Sequence, residues 1–159
     1  MQGELGAELD TGRFKIGNGT TAWNSLPYSS DATTGSIDWF TVAASDETTD
    51  LTAGSGKVYF RMPYAGTLLA VRSSVNTAPS GSSLIVDINI SNNVYSGSIL
   101  GTKLSIDDSQ KTSTTSSSPA TIATSSLADD SQISIDINQV GSSTAGKGLK
   151  VYLKTRRDQ

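Results

Sequence analysis

The chain has 159 residues, a net charge of -3 and a pI near 4.8, with 35% hydrophobic and 17% charged residues. That composition is lean for a globular chain but lies above the disordered regime. Cys and His are both absent, which excludes disulfides, thiolate ligands, Ser/His/Asp and Cys/His triads and the common zinc sites within one chain.

The opening stretch reads as a hairpin. Leu5, Ala7 and Leu9 alternate up to Asp10-Thr11-Gly12, and Phe14 and Ile16 alternate up to Gly17-Asn18-Gly19. Turn chemistry therefore brackets two short strands. Trp23 to Tyr28 adds a large apolar surface, with Pro27 stiffening its path. A unit this small has too little core to stand alone, because units below about 40 residues need a partner, a metal or a disulfide. The expected solution is association, with the rest of the chain or with further copies. The polar run Ser29 to Gly35 then marks a boundary. No charged-then-apolar secretory signal opens the chain, so it is expected to reach its location unprocessed or to be a fragment.

Beyond the boundary, helical periodicity gives way to alternation. Ser36 to Val42 is a less regular run holding Ile37, Trp39 and Phe40. Val58, Phe60 and Met62 share one strand face, with Tyr59 and Arg61 opposite; Thr67 to Val75 is apolar on both faces at Leu68, Leu69 and Val71. Leu84, Val86, Ile88 and Ile90 line one face against Asp87 and Asn89. Short strands are expected at Ser98 to Leu100, around Leu104 and Ile106, and at Thr121 to Ala123. Ile133, Ile135 and Ile137 alternate with Ser134 and Asp136, and Leu149, Val151 and Leu153 with Lys150, Tyr152 and Lys154. One apolar and one wettable face suit antiparallel sheets packed on one side. About eight or nine such strands between turn clusters predict a β-sandwich or jelly roll. The Ser/Thr-rich run from Ser109 to Ser126 is broken by Pro119 and Ile122 and reads as an ordered loop with a short edge strand. VDINIS (Val86 to Ser91) and IDINQV (Ile135 to Val140) resemble each other as two exposed-face strands, without a fixed repeat. Lys154, Arg156 and Arg157 form the one basic cluster and read as a solvated tail, with a contact to another chain as the alternative; no basic stripe points to nucleic acid, and no apolar run reaches the ~20 residues of a membrane helix.

Sites of chemistry are sparse. Asp107-Asp108 and Asp129-Asp130 are carboxylate pairs best read as turns or strand ends, since no D-x-D-x-D-G loop is present. Gly17-Asn18-Gly19-Thr20 lacks the Lys-Ser/Thr ending of a phosphate loop and reads as a turn. Among possible sugar platforms, Tyr59 reads as an outward strand residue covered by a neighbouring subunit and Tyr64 as part of a turn after Pro63. Tyr95, after Ser91-Asn92-Asn93, is the best placed, which makes Asn92, Asn93 and Tyr95 the candidate glycan or host contacts. Trp23 and Trp39 read as interface and core anchors.

The run GELGAELDTGRFKIGNGTTAWNSLPY, from Gly3 to Tyr28, resembles the short N-terminal module of bacteriophage fibre proteins of the major tropism determinant type. That resemblance implies a virion protein that trimerises through an intertwined hairpin, with Leu5, Leu9, Phe14, Ile16, Trp23, Leu26 and Tyr28 at the trimer or virion interface. In relatives a short basic arm precedes the motif; here it opens almost at once, which implies a trimmed chain or a different attachment. KVYFRMPY, VNTAPSGS, SLADD and GLKVYL are similar to a β-rich domain of structural and fibre-like phage proteins and bring no catalytic residue with them. The expectation is therefore an all-β homotrimer, with a hairpin module at 1–30 and a jelly-roll-like β-sandwich at 31–159, and with no cofactor, no nucleic acid and no membrane insertion. It would be a non-enzymatic fibre or spike of tail or head, assembled in the host cytoplasm into the virion, in contact with other virion proteins and with host-surface glycan. The alternative is a decoration or cement protein that stabilises the capsid. A glycan-cleaving tailspike ranks last.

Overall fold

A computed structural model describes residues 2–8, 13–29 and 36–158, and the chain divides into two compact units, Met1–Gly35 and Ser36–Asp158. The first unit is built on β1 (Gln2–Glu8) and β2 (Arg13–Asn18), which pair antiparallel with Leu5 opposite Ile16, Gly6 opposite Lys15 and Ala7 opposite Phe14. Leu9 and the expected turn Asp10-Thr11-Gly12 lie outside the described residues. Asn18 closes β2: its Oδ1 accepts from the backbone N–H groups of Thr20 and Thr21 at 3.1 and 2.8 Å, and Gly19 follows at φ 79°. This is a turn anchored by an Asn side chain, as its sequence indicates. A single 3-10 turn, Trp23–Ser25, carries the chain back across the strands, and the Ser29 N–H reaches the Phe14 carbonyl at 2.7 Å.

The second unit is all-β. Its strands are β3 (Ile37–Ala43), β4 (Gly54–Arg61), β5 (Gly66–Ser74), β6 (Leu84–Ser91), β7 (Ser96–Ser98), β8 (Leu100–Thr102), β9 (Leu104–Ile106), β10 (Thr121–Ile122), β11 (Ser126–Leu127), β12 (Gln132–Gln139) and β13 (Lys150–Arg157). A four-stranded antiparallel sheet runs β11-β5-β13-β3, and a five-stranded one runs β4-β12-β6-β7, with β9 also on β6; β8 and β10 form a small separate pair. The inward residues of both large sheets meet in one core. Leu68, Leu127, Val151 and Leu153 come from the first, and Val86, Ile88, Ile90, Ile133, Ile135 and Ile137 from the second. The arrangement fits a β-sandwich, in which each strand buries every second side chain.

Three segments differ from their sequence reading. Ile37–Ala43 is a regular strand whose alternate residues face the core; Phe40 and Val42 point inward and Trp39 outward. Trp39, read as a core or interface anchor, is 47% exposed. In β5, Leu68 and Ala70 pair with Thr155 and Lys154, so Leu69 is an extra residue in the ladder. A bulge of this kind re-aims side chains, and it explains the two-sided apolar pattern: Leu68 is buried and Leu69 is exposed. Lys154, Arg156 and Arg157 are not a solvated tail. They belong to β13, which is hydrogen-bonded to β3 on one side and β5 on the other.

The Ser/Thr-rich run is ordered by one carboxylate. Asp107 accepts from the Ser117 backbone N–H at 2.7 Å and from the hydroxyls of Ser105 and Ser116, each at 3.1 Å. The Ser117 hydrogen bonds hold the Asp107 carboxyl below its ordinary value, against a smaller desolvation effect.

Candidate functional site

Three surfaces bear on function. The first is the outer face of β1 and β2. Side chains of a strand alternate between faces, and here the two faces differ sharply. On one, the Trp23 ring lies over Gly6, so closely that a Cβ at Gly6 would stand 2.1 Å from Trp23 Cζ2. Lys15 and Leu26 are buried on the same unit, with the Lys15 ammonium 3.2 Å from the Trp23 carbonyl and 4.3 Å from the centre of the Tyr28 ring. On the other, Leu5, Ala7, Phe14 and Ile16 are exposed, Leu5 at 64% and Ile16 at 49%. Leu5 and Ile16 are cross-strand partners, so they form one apolar patch. The interface residues read from the sequence thus separate: Leu26 and Tyr28 pack within the unit, Trp23 lies over Gly6 but stays 43% exposed, and Leu5, Phe14 and Ile16 face out on the other side.

The second surface is the loop between β6 and β7. Asn92 Oδ1 accepts from the backbone N–H groups of Val94 and Tyr95, both at 2.8 Å, while its amide reaches Ser131 Oγ at 3.3 Å. The Tyr95 hydroxyl donates to the Ser98 carbonyl at 2.7 Å. The polar atoms of Asn92 and Tyr95 are therefore engaged in shaping the loop. Asn93 and Val94 form its exposed tip, with Val94 at 96% exposure.

Asp130, Asp108 and Tyr64 have partners within the second unit, while Tyr59 stands outward on β4 at 60% exposure. Asp130 sits in a turn at φ 56° beside Arg61, and Asp108 accepts from Ser109 at 3.0 Å. The Tyr64 hydroxyl donates to Asp38 Oδ2 at 2.8 Å, beside Phe40. Burial raises the Tyr64 phenol above its ordinary value, and Thr155 opposes the shift by hydrogen bonding. Among the described residues no group of three or more His, Cys, Asp or Glu is placed to hold a metal ion.

The third surface was not legible as a site. On the outer face of the four-stranded sheet, a cleft of about 520 Å³ opens between Trp39 of β3, Tyr152 of β13, Arg72 and Ser74 of β5, and the Thr112–Thr114 segment. The Arg72 guanidinium lies 5.5 Å and the Lys154 ammonium 5.7 Å from the centre of the Trp39 ring, within cation–π range. Tyr152 and Ser74 share a hydroxyl hydrogen bond at 2.9 Å, and the Ser73 N–H donates to Ser113 Oγ at 2.8 Å. Ser73 also lines the cleft, and its buried hydroxyl has no partner among the described residues. Lys150, Lys154 and Arg156 alternate with the buried residues of β13, so their side chains share this outer face with Arg72. The one acid in the four strands, Asp38, is engaged by Tyr64. Glu47, from a loop, pairs with Lys150; among the described residues Arg72 and Lys154 have no carboxylate partner. Sequence reasoning missed the cleft because β3, β5 and β13 lie far apart in the chain. The available signal was Trp39 alternating out of phase with Phe40 and Val42.

Comparison with protein-family models, with curated proteins and with solved structures finds no match.

Proposed function

We propose that this chain is a non-enzymatic structural subunit of a bacteriophage virion, a fibre or spike that assembles as a homotrimer through its N-terminal strand pair and presents its β-domain to the host surface. The observation that carries the assembly claim is the Leu5, Ala7 and Ile16 face, which is apolar and open while the opposite face is covered by Trp23. A unit of this size gains by burying such a patch against further copies. The trimeric count and the phage context rest on the resemblance of Gly3 to Tyr28 to the tropism-determinant module. The strand order of the second unit supports the architecture. Two antiparallel sheets, β3-β13-β5-β11 and β4-β12-β6 with β7 and β9 on its edge, support the double-sheet jelly-roll reading. Binding by such an assembly is multivalent, so weak individual sites gain avidity.

The test has two parts. Light scattering of the full chain gives its mass in solution, where the expected result is three protomers. The chain is then mixed with host cells and with isolated capsids. A host-contacting appendage binds cells and leaves capsid melting unchanged; a cement protein binds capsids and raises their melting temperature, which would replace this reading.

A further inference from the structure

We propose that the cleft beside Trp39 is a binding site for a carboxylate-bearing saccharide, a ligand class that deepens the host-contact reading and rests on it. Three observations converge. The Trp39 ring is half exposed on a rigid strand, and an indole face offers apolar area with a polar edge, suited to the C–H face of a pyranose. Hydroxyls rim the cleft at Ser74, Thr112, Thr114 and Tyr152; they bond in two pairs, Ser74 with Tyr152 and Thr112 with Thr114, and a hydroxyl so paired keeps a further lone pair for a ligand that is itself a ring of hydroxyls. Two cations that have no carboxylate partner among the described residues, Arg72 and Lys154, stand at the ring. A guanidinium offers a two-pronged fork to a carboxylate, so Arg72 is assigned the carboxylate and Lys154 the supporting charge. The volume of about 520 Å³ falls in the usual range for small-ligand sites.

Other occupants fit less well. A single nucleic-acid strand calls for successive stacking aromatics along a basic groove, whereas the aromatics of this cleft are Trp39 and a Tyr152 whose hydroxyl is tied to Ser74. An acidic protein surface would match the charge, but protein partners use broad areas with apolar centres, and the rim here is hydroxyl-rich. The cationic face also stands out against a chain whose net charge is -3, so its positive character is local rather than a reflection of overall composition.

The experiment is calorimetric titration of the full chain with three acidic probes, an oligogalacturonate, a hyaluronan tetrasaccharide and a sialyl-trisaccharide. The methyl ester of the probe that binds is the neutral control. At least one acidic probe is expected to bind. Esterification and Arg72→Gln are each expected to weaken binding at least about tenfold, or 1.4 kcal/mol, and Trp39→Ala to abolish it. Circular dichroism and solution mass of both variants should match the parent chain. The proposal is overturned if none of the three probes binds, if ester and acid bind alike, or if Trp39→Ala binds like the parent. Displacement of the sugar by a short single-stranded oligonucleotide at lower concentration would reassign the cleft to nucleic acid, and a changed mass in either variant would make this face a subunit seam. The outcome is separable from the appendage reading: cell binding without saccharide binding sinks only the cleft, and saccharide binding without cell binding sinks only the appendage.

Discussion

Replacing Leu5 and Ile16 together with Gln tests the assembly claim most directly. The two side chains are 64% and 49% exposed, which together leave slightly more than one aliphatic side chain open to water. Full burial of one such side chain is worth about 1.5–3 kcal/mol. Across three protomers the double substitution therefore removes roughly 5–10 kcal/mol of association free energy, a loss of about four to seven orders of magnitude in the association constant. The strands should survive, because both residues point away from Trp23 and the backbone ladder is untouched. Light scattering at micromolar concentration is expected to read three times the 16.5 kDa protomer mass for the parent chain, and a single protomer for the variant. Far-UV circular dichroism should be unchanged. If the variant keeps the parent's mass, this face is not the seam; if the parent is itself monomeric, autonomous assembly is refuted.

Three further outcomes follow from the same geometry. Gly6→Val places a side chain where Trp23 now lies, 2.1 Å from its Cζ2 at the first carbon; overpacking of about 1–3 kcal/mol is expected to displace the indole, and an unchanged tryptophan emission spectrum in the variant would contradict the packing. Ile135→Ala empties a fully buried position on β12, between β4 and β6, and should lower stability by about 2–5 kcal/mol in denaturant unfolding, with a loss under 1 kcal/mol counting against the shared core. Asp107 has a lowered folded-state pKa relative to its ordinary 3.8, so its contribution is complete above that value and is lost as pH falls through the lower, folded one. Asp107→Asn should therefore flatten the acid limb of a melting-temperature profile and leave the neutral region's pH slope unchanged; an acid limb as steep as the parent's would remove Asp107 from that role.

How much of this was legible in sequence depended on whether the controlling contact was local. The core strands announced themselves because burial in a one-sided sheet imposes a period of two, and Ile133, Ile135 and Ile137 keep it without interruption. The Asn18 turn was readable for the same reason, as its donors are two and three residues away. Leu69 was ambiguous because a bulge is a property of the pairing with β13, which sequence alone does not reveal. The loop at Asn92 and Tyr95 was found as an exposed loop, but the engagement of its polar atoms by Val94, Ser98 and Ser131 was not. The basic C-terminal residues were the largest misreading. Position near a chain end suggested a tail, and only tertiary pairing makes β13 an interior strand.

That misreading bears on mechanism. Were Lys154 and Arg156 on a mobile tail, their charge would be spread over many conformations and screened within a Debye length of about 8–10 Å. Fixed on an interior strand beside Arg72, the same charges stand on a rigid surface, and Arg72 and Lys154 hold a defined distance from Trp39. A preorganised site does not spend binding energy on ordering its own side chains, and a local positive field on a negatively charged chain steers anionic ligands to one face. If three copies share one assembly, three such weak sites act with an effective concentration set by the geometry of the trimer. Affinity for a surface should then depend steeply on ionic strength and on subunit count, whereas affinity for a single soluble saccharide should depend on ionic strength alone. Comparing the salt dependence of the parent chain and the Leu5/Ile16 variant on an immobilised acidic glycan separates the two terms. Equal surface affinity for both would mean that assembly adds nothing to attachment.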